Sequence, residues 1–393
     1  MPVKMKRALF GAGIGLLLFA SGAASAADEP ITFRVAFTDS ATIKIGDGVA
    51  YHPSYAAMLA FQNAMRRYAP GKVNVELYPN GRLGDVKSNL EQVLSGNLGA
   101  GTPPDGGIAP FYKNIQMMSA PYMFKDVLQA YDVLDGPFGQ KMFDDMAAKS
   151  GLRVLASYEN GGFRNFSNGK KVVKTPADMN GLKIRTMDSP VYMETVKASG
   201  AAPTPIAWME LYSALQTGVV DGQENSPITI LGGSLQEVQK YYVLNGHVLG
   251  TAYLVASEKF LKSLAPELRE AFYKAGREAS IAARGTVRAT ENLAMEQLRK
   301  SGMEIYVPTA EEKAAWEKTG ASAIEWLKAN TDKAMVEELI TAVHTGSQAR
   351  AVTSNADSKA AQGGSSNSTM YTIAGVVVVL IALFAVFGKR KKA

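Results

Sequence analysis

The chain has 393 residues and a formal net charge of +6, from 42 Lys and Arg against 36 Asp and Glu. Three basic residues lie in the first 26 positions and four in the last five, where there is no acid, so the remainder holds 35 basic and 36 acidic residues. We expect no nucleic-acid partner, because the excess positive charge belongs to the two ends. The absence of cysteine excludes disulfides, thiolate catalysis and cysteine metal sites.

The first 26 residues have the pattern of a secretory signal peptide. A basic start is followed by an apolar run at 8–20 and by the small-residue motif Ala24-Ser25-Ala26. We therefore expect a mature protein that begins at Ala27 and lies in the periplasm.

The C-terminal region has the pattern of a membrane anchor. Residues 370–388 are mostly apolar and long enough to cross a bilayer as a helix. The basic tail at 389–393 would lie in the cytoplasm by the positive-inside rule, and residues 347–369 have the composition of a flexible linker. We expect a tether to the inner membrane; a sorting signal cleaved after insertion would have a similar pattern.

Between these ends, predicted strands alternate with helices. A strand at 31–37, a helix from Ser54 to Pro70-Gly71 and a strand at 73–78 predict a largely parallel sheet with helices on its faces. Further helices are predicted at about 85–95, 127–149, 190–199, 209–217, 266–299, from 310 onward and at 333–344, and further strands at 152–157 and 182–185. The longest of these helices favours a scaffold shared by two lobes.

Motifs for catalysis or metal binding are missing from the sequence. The three histidines, His52, His247 and His344, lack metal-binding spacing, and there is neither a G-x-S-x-G motif nor a P-loop. Glu159 or Asp221 could act as a general base, although nothing in the sequence singles them out. We expect a binding protein without cofactor or metal.

The stretch from Arg164 to Asn225 predicts an anion-binding cleft. Arg164 follows one predicted strand and Arg185 ends another, where α/β sheets present their ligand loops. A guanidinium offers paired donors that match the two oxygens of a carboxylate. A small organic acid is therefore the expected ligand.

Simpler interpretations exist for the same residues. Arg185 could be a surface residue that pairs with Asp188 or Glu194, and Arg164 a solvated residue of a glycine-rich loop. Asn225 could form a hydrogen bond within its own turn.

Several motifs resemble the solute-binding proteins of tripartite ATP-independent periplasmic (TRAP) transporters, the DctP-type family. The specific matches are the segments 181–185, 200–205 and 212–225, and weaker ones lie at 78–84, 120–124 and 252–256. The resemblance covers about residues 31–346. It implies an α/β, two-lobed periplasmic-binding-protein fold with a ligand cleft between the lobes and a long helix spanning both.

The implied division assigns residues 27–161 and 251–290 to lobe I and residues 162–250 and 291–346 to lobe II. The resemblance also implies that the protein delivers an organic acid to integral membrane permease subunits. A membrane-tethered ligand sensor is the alternative that the C-terminal anchor motivates.

The resemblance implies ligand contacts for six residues. They are Arg185 as the carboxylate clamp, Arg164 as a second basic contact, Trp208 as a cleft wall in place of a core residue, Asn225 as an amide contact from the opposite side and, as weaker matches, Tyr253 and Asp105. The chain departs from the family pattern at Asn225-Ser226-Pro227 and in the loop around residues 103–105.

Overall fold

The computed structural model describes residues 29–345. The predicted signal peptide, linker, membrane helix and basic tail lie outside these residues. Within the described range, none of the helices has both the length and the apolar character needed to span a membrane.

Helices and strands alternate along the described chain. The helices are α1 (Pro53–Tyr68), α2 (Val86–Ser95), α3 (Asp105–Ile108), α4 (Val127–Asp135), α5 (Pro137–Ser150), α6 (Pro190–Ala198), α7 (Trp208–Gln216), α8 (Pro227–Gly232), α9 (Glu258–Ser263), α10 (Pro266–Lys300), α11 (Ala310–Asn330) and α12 (residues 333–345). The strands are β1 (Ile31–Ala36), β2 (Thr42–Ile45), β3 (Gly48–Tyr51), β4 (Val73–Tyr78), β5 (Ala100–Gly101), β6 (Leu152–Asn168), β7 (Lys183–Thr186), β8 (Ala202–Pro205), β9 (Gly222–Asn225), β10 (Tyr241–Ser257) and β11 (Glu304–Tyr306).

Two long antiparallel strands, β6 and β10, connect two lobes. The nine-stranded sheet has the order β4-β1-β5-β10-β6-β9-β7-β8, and β11 pairs with β10. Lobe I is built on β4, β1 and β5, and lobe II on β9, β7, β8 and β11. The β1–β4, β1–β5, β7–β8 and β7–β9 pairs are parallel, as predicted, whereas the strands that cross between the lobes pair antiparallel.

The strand predicted at 152–157 is in fact 17 residues long, and Arg164 lies within it and not in a loop after it. Gly161 and Gly162 have φ angles of 84° and 98°, a conformation that favours glycine, and the pairing with β10 shifts register across them. Pairing nevertheless continues beyond the two glycines, as in Arg164 opposite Val248. The glycines therefore mark an irregularity within the strand and not its end.

The prediction of a single helix at 127–149 was also wrong, because two helices, α4 and α5, occupy this range. The break falls at Gly136-Pro137, where proline removes a backbone donor and clashes with the preceding turn.

The last helix belongs with lobe I, although the predicted division placed it in lobe II. Met335, Val336 and Leu339 pack into the same cluster as the lobe I residues Ile115 and Phe143. The helix follows lobe II elements in the sequence, but its apolar face packs in this cluster. We therefore assign residues 333–345 to lobe I.

The 35-residue α10 contacts both lobes, as the sequence predicted. Phe272 and Ala279 pack in a lobe I cluster, whereas Val287 and Leu298 pack in a lobe II cluster. At Gly276 the helix backbone touches β6 so closely that a Cβ would overlap the carbonyl oxygen of Leu155.

We expect Gly276→Ala to destabilise the protein by about 1–3 kcal/mol or more, because the overlap forces helix and strand apart. Gly285→Ala is the matched control, because this glycine of the same helix is exposed and has open space around it. Alanine is the better helix former, so this substitution should raise the free energy of unfolding by up to about 1 kcal/mol. Urea denaturation of both variants measures the two free energies of unfolding. Equal effects would contradict this packing contact.

Candidate functional site

A cavity of about 420 Å³ lies between the lobes. Lobe I contributes Thr38 and Asp39 after β1, and Gly106 after β5; lobe II contributes Arg185 from β7 and Trp208 after β8. The carboxyl ends of parallel strands are where open α/β sheets place their ligands. The topology therefore brings the loops of both lobes to one cleft.

Arg185 is a buried cation on the wall of this cavity, only 2% exposed. Its Nε donates a hydrogen bond of 2.8 Å to the backbone oxygen of Ile206, just after the neighbouring strand. Within residues 29–345, no hydrogen bond or ion pair is made by its two Nη groups. The surface interpretation, with pairing to Asp188 or Glu194, is therefore wrong.

Burial lowers the pKa of Arg185 to about 10, because the charged form loses its hydration; the attraction of Glu224 offsets part of this effect, and repulsion from Arg164 adds a smaller contribution to the lowering. At neutral pH the guanidinium nevertheless stays protonated. A buried cation without a counter-ion is costly, and an anion that enters the cavity removes this cost.

Arg164 also lines the cavity, but its charge is compensated within the protein. Its Nε and Nη2 donate to the two carboxylate oxygens of Glu224 at 2.6 and 2.8 Å, and Nη2 also donates to the Glu224 carbonyl oxygen at 2.7 Å. The Tyr192 ring lies under the guanidinium at 5.2 Å. The residue is 2% exposed, so the solvated interpretation is wrong, and only Nη1 remains without a hydrogen-bond partner among the described residues.

The charges of this cluster depend on one another. Burial alone would raise the pKa of Glu224, but the adjacent Arg164 outweighs it and brings the pKa to about 2. His247 lies 3.3 Å from the same carboxylate, and burial lowers its pKa despite the pull of Glu224. At neutral pH, Arg164 and Glu224 form an ion pair beside a neutral imidazole, whereas Arg185 has no acidic partner within residues 29–345.

Asn225 and Trp208 line the same cavity. Asn225 does not project from a turn, as the sequence suggested, but ends the buried strand β9 opposite Asn165 of β6. Its Nδ2 donates to Gln223 Oε1 at 2.6 Å, which leaves Oδ1 as the free end of the amide. Trp208 begins α7 and also packs against the lobe II cluster, so its ring serves the core and the cavity wall.

Asp105 and Tyr253 lie behind the cavity and are not part of its wall. Asp105 Oδ1 accepts a hydrogen bond from the Gly106 amide at 2.7 Å, and Oδ2 accepts one from Thr251 at 3.2 Å. Thr251 in turn lies 3.0 Å from the Tyr253 hydroxyl. Burial raises the pKa of Asp105, an effect that the positive charge of Arg164 opposes. A buried chain of hydrogen bonds therefore connects these two residues to Gly106 of the cavity wall.

Three side chains at the site were not singled out from the sequence. Glu224 compensates Arg164, and Asp39 and Asn160 line the cavity. The run Gln223-Glu224-Asn225, three polar residues next to a predicted ligand contact, was the available signal for Glu224. Nothing local in the sequence marks Asp39 or Asn160, because lobe packing alone brings them to the cleft.

Comparisons with known proteins agree with this geometry. The sequence model of the bacterial extracellular solute-binding protein family 7 matches residues 49–330. The C4-dicarboxylate-binding periplasmic protein DctP of Rhodobacter capsulatus is 32% identical over 292 residues, which are 74% of this chain and 84% of that protein.

Solved structures show the same architecture. The galactonate complex of the sugar acid binding protein of Advenella mimigardefordensis has a TM-score of 0.75 at 28% identity and covers 81% of this chain and 99% of its own. A TRAP solute-binding protein of Polaromonas with bound D-erythronate has a TM-score of 0.72 at 29% identity, with coverages of 80% and 98%. These relatives are periplasmic binding proteins and not enzymes. The chain belongs to the family 7 extracellular solute-binding proteins, the periplasmic receptors of TRAP transporters.

Proposed function

We propose that this protein captures a small organic acid in the inter-lobe cavity by its carboxylate and delivers it to the permease subunits of a TRAP transporter for ion-coupled uptake. Arg185 is the clamp: its two Nη groups bind the two carboxylate oxygens, and Nη1 of Arg164 adds a second basic contact. Trp208 and Asn225 shape the rest of the wall.

One observation supports the clamp above all others. Arg185 is buried, positively charged and without an acidic partner in the described chain, whereas Arg164 beside it has one. Since a buried unpaired charge is costly, the site favours an anion. The bound galactonate and D-erythronate of the two similar structures, and the dicarboxylate of the Rhodobacter protein, are all carboxylates.

Delivery to a permease rests on family membership, and tethering rests on the sequence pattern at 370–388. A tether would keep the receptor close to its membrane partner and raise its effective concentration there. Crosslinking in cells followed by purification should recover integral membrane permease subunits. Recovery of a kinase or chemoreceptor in their place would favour the sensor alternative.

Thermal unfolding in the presence of organic acids tests the capture step. An acid at 100 times its dissociation constant should stabilise the protein by about 2.7 kcal/mol. The matched controls are uncharged relatives of the same size, for example galactitol beside galactonate, which should leave the melting temperature unchanged. Equal stabilisation by the acid and the neutral polyol would contradict carboxylate capture.

A further inference from the structure

We propose that residues 40–52, which contain the hairpin β2–β3, form a strap that holds the two lobes together beside the cavity and limits how far they open. The strap leaves lobe I after β1 and returns to it at α1, but its middle packs on lobe II. The family model matches only from residue 49 onward, so the first strand of the hairpin lies outside it. The inference goes beyond the proposed function, because it does not depend on which acid is bound.

The residues at both ends of the strap are fixed in lobe I. The carbonyl oxygen of Asp39 accepts a hydrogen bond of 3.0 Å from the amide of Asn80, just after β4, and its carboxylate accepts one of 2.6 Å from the Ser54 hydroxyl. At the other end, α1 begins at Pro53 and packs through Met58 in a lobe I cluster. Asp39 also lines the cavity, so the strap begins at the edge of the candidate site.

The middle of the strap is fixed in lobe II. Ile43 of β2 is 1% exposed and packs in the lobe II cluster that contains Ile228 of α8 and Leu298 of α10. At the hairpin turn, the amide of Gly46 donates a hydrogen bond of 2.9 Å to Oε1 of Gln297, also on α10. Side chains of lobe II therefore hold an element that belongs to lobe I in the sequence.

The base of the strap also touches lobe II. A Cβ added to Gly232, the last residue of α8, would lie 3.3 Å from Cδ2 of His52 and 3.5 Å from Oγ of Ser40. Ser40 and His52 are the first and last residues of the strap, and the amide of His52 donates a hydrogen bond of 3.0 Å to the carbonyl oxygen of Ala41. The contact with lobe II therefore extends from the base of the strap to its turn.

The strap is too short for the lobes to separate widely while Ile43 stays packed. Residues 40–43 lead from Asp39 to Ile43, and four residues span at most about 14 Å when fully extended. Beyond this limit Ile43 must leave the lobe II cluster and expose its side chain to water, which is unfavourable. β6 and β10 connect the lobes covalently, and the strap adds a contact that opening has to break.

Distances between two spin labels, measured by pulsed electron paramagnetic resonance on the purified protein, test the strap without any acid. The sequence has no cysteine, so Glu91→Cys on α2 and Gln216→Cys on α7 place one label on each lobe. Both positions are exposed, and α2 and α7 begin at the cavity wall, with Val86 and Trp208. A longer distance between the labels therefore reports a more open cleft.

Two variants of the labelled protein weaken the strap. In the first, Asn-Gly replaces residues 42–51. The existing hydrogen bond between Ala41 and His52 then closes a two-residue turn, a geometry that Asn-Gly favours. In the second, Ile43→Ala removes most of the packed side chain and keeps the hairpin. In each, the ratio of long to short label distances should rise about tenfold or more, because the contacts of a buried isoleucine no longer oppose opening.

Val49→Ala is the matched control, because this residue of β3 is 71% exposed. It should leave the label distances unchanged. Strap variants with the same distances as the labelled parent would overturn the inference, and so would an equal shift in Val49→Ala. If the shortened chain does not fold, Ile43→Ala decides. Since no acid is present, these outcomes are independent of carboxylate capture, which thermal unfolding with organic acids tests separately.

Discussion

Replacing Arg185 by methionine is expected to weaken acid binding at least a hundredfold and to leave the unliganded protein at least as stable as the original. Methionine has a similar length but no charge. Two charge-assisted hydrogen bonds to the ligand are lost, which corresponds to about 3–5 kcal/mol, or a 10²- to 10⁴-fold weaker affinity. The unliganded protein loses the hydrogen bond from Arg185 Nε to the Ile206 oxygen, which costs about 1–3 kcal/mol, but it is also relieved of a buried charge that has no acidic partner within residues 29–345 and costs several kcal/mol.

Arg185→Lys is the matched control, because it keeps a positive charge at the same position. Lysine acts as a point charge and cannot bind both carboxylate oxygens in a planar fork, so an intermediate loss of about 10- to 100-fold is expected. Calorimetry gives the affinities and thermal unfolding gives the stabilities. A methionine variant that unfolds without ligand would show that Arg185 is a structural residue, which contradicts the clamp.

Glu224→Gln is expected to destabilise the protein by about 3–5 kcal/mol. The substitution preserves shape but leaves the Arg164 guanidinium, 2% exposed, without its counter-ion. Chemical denaturation measures the loss. The double variant Arg164→Met with Glu224→Met removes both charges and should recover much of the stability; if it is less stable than the glutamine variant, the buried pair is not the cause.

The same pair makes stability depend on pH in a defined window. The folded pKa of Glu224, about 2, is lower than the ordinary value of 4.5, so its contribution is complete above about pH 4.5 and is lost as the pH falls through about 2. The shift corresponds to about 3 kcal/mol. His247 also weakens the fold on acidification, because burial keeps it neutral, whereas the raised pKa of Asp105 acts in the opposite direction.

Subtracting the glutamine variant's pH profile from that of the wild type removes the background that the two proteins share, and leaves the titration of Glu224 together with the change that its loss causes in the pKa of His247. The difference in the free energy of unfolding should shrink between about pH 4.5 and 2. A difference that stays constant across this window would contradict the assigned ion pair.

Helices with a clear apolar period and local end signals could be predicted from the sequence. The proline at the start of α6 and the capping box of α11, in which Thr309 and Glu312 bind each other's backbone amides, are examples. The length of β6 could not be predicted, since Gly161-Gly162 resembles a loop and only pairing with β10, about 90 residues away, continues the strand.

The site could be predicted only as far as local signals reach. Arg185 was correctly expected at the end of a strand, and it lies on the cavity wall. Its lack of a partner, and the pairing of Arg164 with Glu224, depend on burial and on contacts between strands 60 residues apart. These long-range contacts, and not the arginines alone, determine which guanidinium is free.

The most direct test of the carboxylate clamp is a crystal structure of the protein with a bound organic acid that stabilises it against thermal unfolding. We expect both carboxylate oxygens to lie within hydrogen-bond distance, about 2.7–3.1 Å, of Nη1 and Nη2 of Arg185, with the Arg164–Glu224 pair intact. A carboxylate bound elsewhere in the cavity, or bound to Arg164 after displacement of Glu224, would contradict the account.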